Sequence, residues 1–96
     1  MLTRATILAL LADHSAVLQT RFAITRIGLF GSHARGQAAP GSDVDLLVEF
    51  ADPTFDHYMD AKSYLEELLG APVDLVLAET LKPRLVAHVN RDLVYA

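Results

Sequence analysis

Apolar residues recur along this chain with two different periods, and these periods predict the order of its helices and strands. Between residues 3 and 22 they follow the spacing of an amphipathic helix, with Thr3 as the candidate N-cap. Shorter apolar runs bounded by turn residues predict strands. The predicted elements are a helix at 3–22, a strand at 25–30, a helical turn at 32–37, a strand at 43–50, a helix at 56–69, a strand at 73–77, a helix at 81–90 and an edge strand at 93–96.

The last two predicted helices have clear end signals. Gly70 supplies the stop of the first, and Pro83 lies in the first turn of the second. The second is expected to pack through its apolar residues Leu85, Val86 and Val89. A short loop between the first two strands predicts antiparallel pairing, whereas helices connect the later strands. The predicted fold is therefore a mixed α/β (α+β) sheet of about four strands flanked by helices.

Alternation along the strand at 43–50 separates an acidic face from an apolar face. The acidic face carries Asp43, Asp45, Leu47 and Glu49, and the apolar face carries Val44, Leu46, Val48 and Phe50. Because the wholly apolar face belongs on the core, the acidic face is predicted to be the working side. Glu49 lies farther along the strand, and we expect it to form an ion pair with a lysine or arginine.

The candidate chemistry lies at the ends of these strands. Asp43 and Asp45 project from one face and repel each other, so a site that keeps both ionised needs a cation such as Mg²⁺. Gly31 and Ser32 lie where a strand ends and a helix begins, with free N–H groups that can hold an anion. Asp74 interrupts a separate apolar strand. This set favours a nucleoside triphosphate with its magnesium over the alternative, a solvated acidic edge.

The roles of the neighbouring residues follow from that hypothesis. Three carboxylates can hold two Mg²⁺ ions, one activating an attacking hydroxyl and one binding the triphosphate. Ser32 and the adjacent N–H groups would hold the β- and γ-phosphates. Arg35 either neutralises phosphate charge or tethers the loop to a carboxylate. Ser42 belongs to the nucleotide site or orients the acidic loop, and His33 is interpreted as an exposed loop residue.

Composition and charge narrow the class of protein. The 96 residues, 52% hydrophobic and 21% charged, predict one folded domain over residues 1–96. The absence of cysteine excludes disulfides and thiolate chemistry. The net charge of −4 and the scattered positions of the lysines and arginines argue against binding of long nucleic acids. No signal-peptide pattern and no long apolar run occurs, so a cytoplasmic protein without a membrane segment is expected.

These residues resemble a known superfamily. The pattern is Gly31-Ser32-x-x-Arg35-Gly36, then Ser42-Asp43-x-Asp45-Leu46, then Asp74 on an apolar strand. It resembles the DNA polymerase beta-like nucleotidyltransferases, and the short chain and the loop resemble their minimal nucleotidyltransferase (MNT) branch. The resemblance covers nearly the whole chain. His33 departs from it, because arginine is frequent at that position.

The resemblance implies roles and a partner. Asp43 and Asp45 would be metal ligands, Asp74 the third carboxylate near the attacking hydroxyl, and Gly31 and Ser32 the triphosphate-binding pair. Members of this branch are commonly antitoxins of HEPN-domain ribonuclease toxins, and those with the full motif transfer AMP from ATP to a toxin tyrosine. We therefore expect a Mg²⁺-dependent protein adenylyltransferase that can form a hetero-oligomer with its toxin. The alternatives are an antitoxin that only binds and occludes its toxin, and a transferase for a small molecule.

Overall fold

The computed structural model describes residues 2–96, which form a four-stranded sheet with helices around it. The elements are α1 Arg4–Asp13, α2 Ser15–Phe22, β1 Ile24–Phe30, α3 Gly31–Ala34, β2 Val44–Phe50, α4 Phe55–Leu69, β3 Val73–Leu77, a 3₁₀ turn at Ala78–Thr80, α5 Pro83–Asp92 and β4 Val94–Tyr95. The predicted order of elements is confirmed, with small shifts at their ends. The exception is the first helix.

The single helix predicted at 3–22 is wrong, because the chain forms α1 and α2 with a break at His14. The backbone of His14 leaves helical geometry, with φ −105° and ψ 13°. Its ring Nδ1 donates a hydrogen bond to the carbonyl oxygen of Leu10 at 2.9 Å. A side chain that bonds to the carbonyl of the preceding turn disturbs the helical ladder, which accounts for a break that the apolar spacing does not reveal.

The sheet is mixed, as predicted, with strand order β3-β2-β1-β4. β1 pairs antiparallel with β2 and with β4, whereas β2 and β3 are parallel. The short loop explains the antiparallel β1–β2 pair, and the helical crossover through α4 permits the parallel pair. β4 lies at the edge of the sheet beside β1, where the edge strand was expected.

One face of the sheet and the helices α1, α2 and α4 enclose the core. The buried core residues of β2 are Val44, Leu46 and Val48, which confirms the predicted apolar face of that strand.

Two helix ends match their sequence signals. The Thr3 side chain accepts a hydrogen bond from the N–H of Thr6 at 3.1 Å, and Gly70 ends α4 in the left-handed conformation. None of the helices within residues 2–96 is long and apolar enough to cross a membrane.

The opposite face of the sheet is partly open, and we call it the open face; it carries Asp45 and Leu47 of β2. α5 reaches this face through its C-terminal end, where the side chain of Leu93 packs on Gly28, the β1 residue paired with Leu47. A Cβ at Gly28 would lie 2.7 Å from Leu93 Cδ1, so the glycine permits this close approach.

The expected packing of α5 is confirmed for one residue of three. Val89 is buried, but Leu85 and Val86 are 41% and 38% exposed, so the prediction that they pack on the domain is wrong. The buried contacts of this segment lie towards its C-terminal end, at Val89 and at Leu93.

Candidate functional site

Parallel pairing of β2 and β3 brings together two acids that are far apart in the sequence. Asp45 and Asp74 are direct neighbours in the register of the two strands. Since side chains alternate across a strand, both carboxylates project from the open face. Asp43 lies just before β2 and is exposed. Asp74 is exposed as well, so solvent contact stabilises its charge on an otherwise apolar strand.

The electrostatics of Asp45 reflect these neighbours. Burial raises the pKa of the Asp45 carboxyl, and the charges of Asp74 and Asp43 and a side-chain hydrogen bond with Asp74 raise this pKa further. The imidazole of His33 acts in the opposite direction and lowers the pKa of Asp45. The ionised form of Asp45 is therefore disfavoured in the protein alone, and a divalent cation would remove the repulsion that disfavours it.

The acids do not form a closed metal cage by themselves. Within residues 2–96, no group of three histidine, cysteine, aspartate or glutamate side chains is arranged to hold a metal ion. Mg²⁺ usually keeps several waters and binds through one or two carboxylates plus substrate phosphates. Such incomplete coordination by protein fits the arrangement of Asp45 beside Asp74, with Asp43 just before β2.

Gly31 joins the acids to the predicted phosphate turn. It begins α3 with φ +77°, and a Cβ at this position would overlap Oδ2 of Asp45 and lie 3.0 Å from its Cγ. Glycine is thus required both by the left-handed backbone and by the contact with the carboxylate. The first backbone bond of this turn runs from the N–H of Arg35 to the carbonyl of Gly31 at 3.2 Å. The preceding N–H groups have no acceptor within the turn, which leaves them available to a triphosphate.

Arg35 contacts a carboxylate, as one of its two predicted roles requires. Its Nη1 donates to Oδ2 of Asp92 in α5 at 2.7 Å, and its Nε donates to Gln37 Oε1 at 3.3 Å. Asp92 is not among the predicted site residues, because nothing in the sequence links two positions 57 residues apart. Ser42 is half-buried in the loop before β2, and its N–H donates to the carbonyl of Ala39 at 3.0 Å.

The interpretation of His33 as an exposed loop residue is wrong. Its residue exposure is 5%, and its Nδ1 has no hydrogen-bond partner among the described residues. The helical turn of α3 explains the difference, since it directs both His33 and Ala34 into the protein. His33 also borders a cavity of about 520 Å³ that is lined by the loop before β2, the start of α1 and the end of α4.

Glu49 forms the expected ion pair. Its Oε2 lies 3.9 Å from Nη1 of Arg26 on the neighbouring strand. The Arg26 guanidinium also lies over the ring of Tyr95, 3.7 Å from its centre. These contacts hold Glu49 away from the paired acids, and its predicted exclusion from the metal site agrees with them.

Paired carboxylates beside a glycine–serine turn, on one face of a mixed sheet, are the arrangement that the sequence motifs associate with nucleotidyl transfer. Residues 11–95 match the family model described as the nucleotidyltransferase domain. The chain belongs to this nucleotidyltransferase family, which confirms both the resemblance seen in the motifs and the predicted class of enzyme.

Individual relatives agree with this assignment. The chain is 43% identical to the protein adenylyltransferase MntA of Thermococcus cleftensis, over 99% of this chain and 97% of that protein. A solved structure assigned as a minimal nucleotidyltransferase is 41% identical with a TM-score of 0.74, and the match covers 92% of this chain and 93% of that chain. A solved toxin–antitoxin structure with AMP-PNP is 26% identical with a TM-score of 0.69, covering 98% of this chain and 72% of that chain.

Proposed function

We propose that this protein is a Mg²⁺-dependent adenylyltransferase of the cytoplasm that transfers AMP from ATP to a tyrosine of a partner HEPN toxin. In this role it is the antitoxin of the pair. The observation that carries the proposal is the placement of Asp45 beside Asp74 on the open face, with Gly31 directly against Asp45. The name of the Thermococcus relative and the toxin–antitoxin structure with AMP-PNP support the reaction and the partner.

Asp43, Asp45 and Asp74 would hold the metal in this proposal. When bound, Mg²⁺ (two ions in the full site) supplies positive charge that activates the attacking hydroxyl and stabilises the leaving pyrophosphate. Asp74 is exposed on the open face, and in this proposal it is the carboxylate near the attacking hydroxyl, as the family resemblance implies.

Gly31, Ser32 and the N–H groups at the start of α3 would bind the triphosphate, and Ser42 would belong to the same nucleotide site. The donors are fixed by the backbone, so they lose little entropy when charge develops on the phosphates. Arg35 acts indirectly in this proposal, because its bond to Asp92 holds α5 near the turn that binds the phosphates.

The transfer itself needs only a correctly placed acceptor. The tyrosine oxygen forms a bond to the α-phosphorus and its proton passes to the carboxylate of Asp74, the base in this proposal. The bond from that phosphorus to the bridging oxygen of the β-phosphate breaks, and pyrophosphate leaves with the electron pair. The residues of this chain hold the two reactants in line, which is the main task of a phosphoryl-transfer site.

The test is intact-mass spectrometry of the HEPN toxin after incubation with this protein, ATP and Mg²⁺. A mass gain of one or more AMP units, absent with the Asp45→Asn variant, is the expected result. A stable complex that neutralises the toxin without any mass gain would overturn the transferase proposal in favour of neutralisation by occlusion.

A further inference from the structure

The first half of α5 exposes apolar side chains that the rest of the molecule does not cover. Every residue from Lys82 to His88 is exposed, including Leu85 and Val86. An amphipathic helix on a single domain normally buries its apolar stripe against the core. Here the stripe is buried at Val89 and continues outwards, uncovered, towards the start of the helix.

The helix that carries this exposed half is anchored at its C-terminal end, beside the open face. The anchors are the ion pair of Asp92 with Arg35 and the packing of Leu93 on Gly28. Arg35 ends the turn that begins at Gly31, and Gly31 contacts Asp45. A protein that brings a hydroxyl to the acids therefore approaches the anchored end of α5.

The charge of the same segment is opposite to that of the whole chain. Residues 82–91 include three cations, Lys82, Arg84 and Arg91, and no acid, whereas the chain has a net charge of −4. Apolar side chains among cations suit a surface that offers an apolar group among carboxylates. We define the α5 surface as Lys82, Arg84, Leu85 and Val86.

We propose that the α5 surface is the docking site for the acceptor protein, which seats an apolar side chain on Leu85 and Val86 and directs carboxylates at Lys82 and Arg84. This inference rests on the function proposed above, since it identifies what guides the acceptor to the active site. Docking beside the acids would hold the acceptor hydroxyl near the α-phosphorus and so reduce the entropic cost of the transfer.

A second copy of this chain is the competing occupant. A symmetric contact would set the cations of the α5 surface against themselves, which is unfavourable. A head-to-tail contact could instead use the start of α4, where exposed Phe55 and Met59 lie near Asp56. Such a contact would occupy the α5 surface in place of the acceptor, so the oligomeric state of the protein distinguishes the two occupants.

The experiment compares two double variants that each place acids on exposed apolar residues. One is Leu85→Glu with Val86→Glu in the α5 surface, and the matched control is Phe55→Glu with Met59→Glu in α4. AMP transfer to the HEPN toxin is measured over a range of toxin concentrations, and Mg²⁺-ATP binding is measured by calorimetry. We expect the α5 variant to lose about tenfold or more in kcat/KM for the toxin, with ATP binding unchanged and the control at the wild-type value.

Three results would overturn the docking proposal or separate it from the proposed function. Wild-type kinetics in the α5 variant would overturn it. The proposal would also be overturned by evidence that copies of this chain contact each other through the α5 surface. That evidence would be a wild-type mass in solution above the 10.5 kDa of one chain, with both double variants returning to the mass of one chain. If the wild type transfers no AMP, the proposed function fails. Docking can still be tested by a toxin pull-down without ATP. Toxin binding by the α5 variant in that pull-down would overturn the docking proposal. The milder Leu85→Ala, Val86→Ala variant serves if the double glutamate fails to fold.

Discussion

Gly31 lies directly against the carboxylate of Asp45, so the start of α3 and the start of β2 form one continuous surface. This contact joins the two halves of the motif that the sequence separates by a loop. It also fixes the distance between the amide groups that would bind phosphate and the acids that would bind metal. The precision of the site therefore depends on the absence of a side chain at residue 31.

Replacement of Gly31 by alanine is expected to abolish AMP transfer. The new Cβ meets the carboxylate of Asp45 and must displace it, and the left-handed backbone adds a cost of about 1 kcal/mol. The control is Gly36→Ala, which has a similar φ of +72° and no atom near the new Cβ. Thermal unfolding should show the backbone cost in both variants, whereas intact-mass assays should show lost transfer only in Gly31→Ala. Equal activity in the two variants would contradict this account.

Asp45→Asn is expected to make the metal-free protein more stable and inactive. Folding raises the pKa of Asp45, so the folded state holds its proton more tightly than the unfolded state does. The stabilisation of the folded state by the proton of Asp45 is fully present below the pKa of this carboxyl in the unfolded chain, about 4. It is lost as the pH rises through the pKa of Asp45 in the folded state. At pH 7 the ionised carboxylate therefore destabilises the fold through burial and its acidic neighbours.

The measurement is Tm as a function of pH in EDTA. Asp45→Asn should unfold at a higher temperature than the wild type at pH 7, and the difference should disappear in acid. Glu67→Gln, which removes an exposed acid of α4 far from Asp45 in the sequence, serves as the control for net charge. A variant that is less stable than the wild type at pH 7 would contradict the assigned cause of the pKa shift.

The faces of the strands and the pairing of the acids could be predicted because they depend on short-range patterns. Alternation along β2 separates Asp45 from the core residues, and helical crossovers place β3 beside β2. The position of Asp74 follows from the same two rules. These are the features that the sequence and the structure share.

Other features depend on individual side-chain contacts, which an apolar pattern does not reveal. The first helix breaks at His14, whose ring bonds to the carbonyl of Leu10, and the burial of His33 depends on how α3 sits on the sheet. The apolar stripe of α5 was recognised, but the spacing of Leu85 and Val86 does not tell what covers them. The errors at His33 and in α5 concern tertiary placement, whereas the error at His14 concerns local conformation.

Magnesium is expected to stabilise the wild-type protein and to do so less in Asp45→Asn. A ligand that binds only the folded state adds RT ln(1 + [L]/Kd), about 1.4 kcal/mol at ten times the dissociation constant. The measurement is Tm against Mg²⁺ concentration, with Ca²⁺ and with added NaCl at equal ionic strength as controls. The same increase in Tm in both proteins would place the ion elsewhere than at Asp45, and AMP transfer that persists in EDTA would contradict metal dependence.

The bond from Arg35 to Asp92 makes it possible to separate the two roles proposed for this arginine. If Arg35 acts by holding α5 to the phosphate turn, then Arg35→Gln and Asp92→Asn should weaken ATP binding by similar factors, and the double variant should be no worse than either. If Arg35 instead contacts phosphate, only Arg35→Gln should weaken binding strongly. The pair is partly exposed, at 41% and 14% of the two side chains, so its coupling energy in unfolding should be about 1 kcal/mol or less. We expect the first pattern in calorimetric titrations with Mg²⁺-ATP, because in this structure the guanidinium already donates to Asp92 at 2.7 Å and to Gln37.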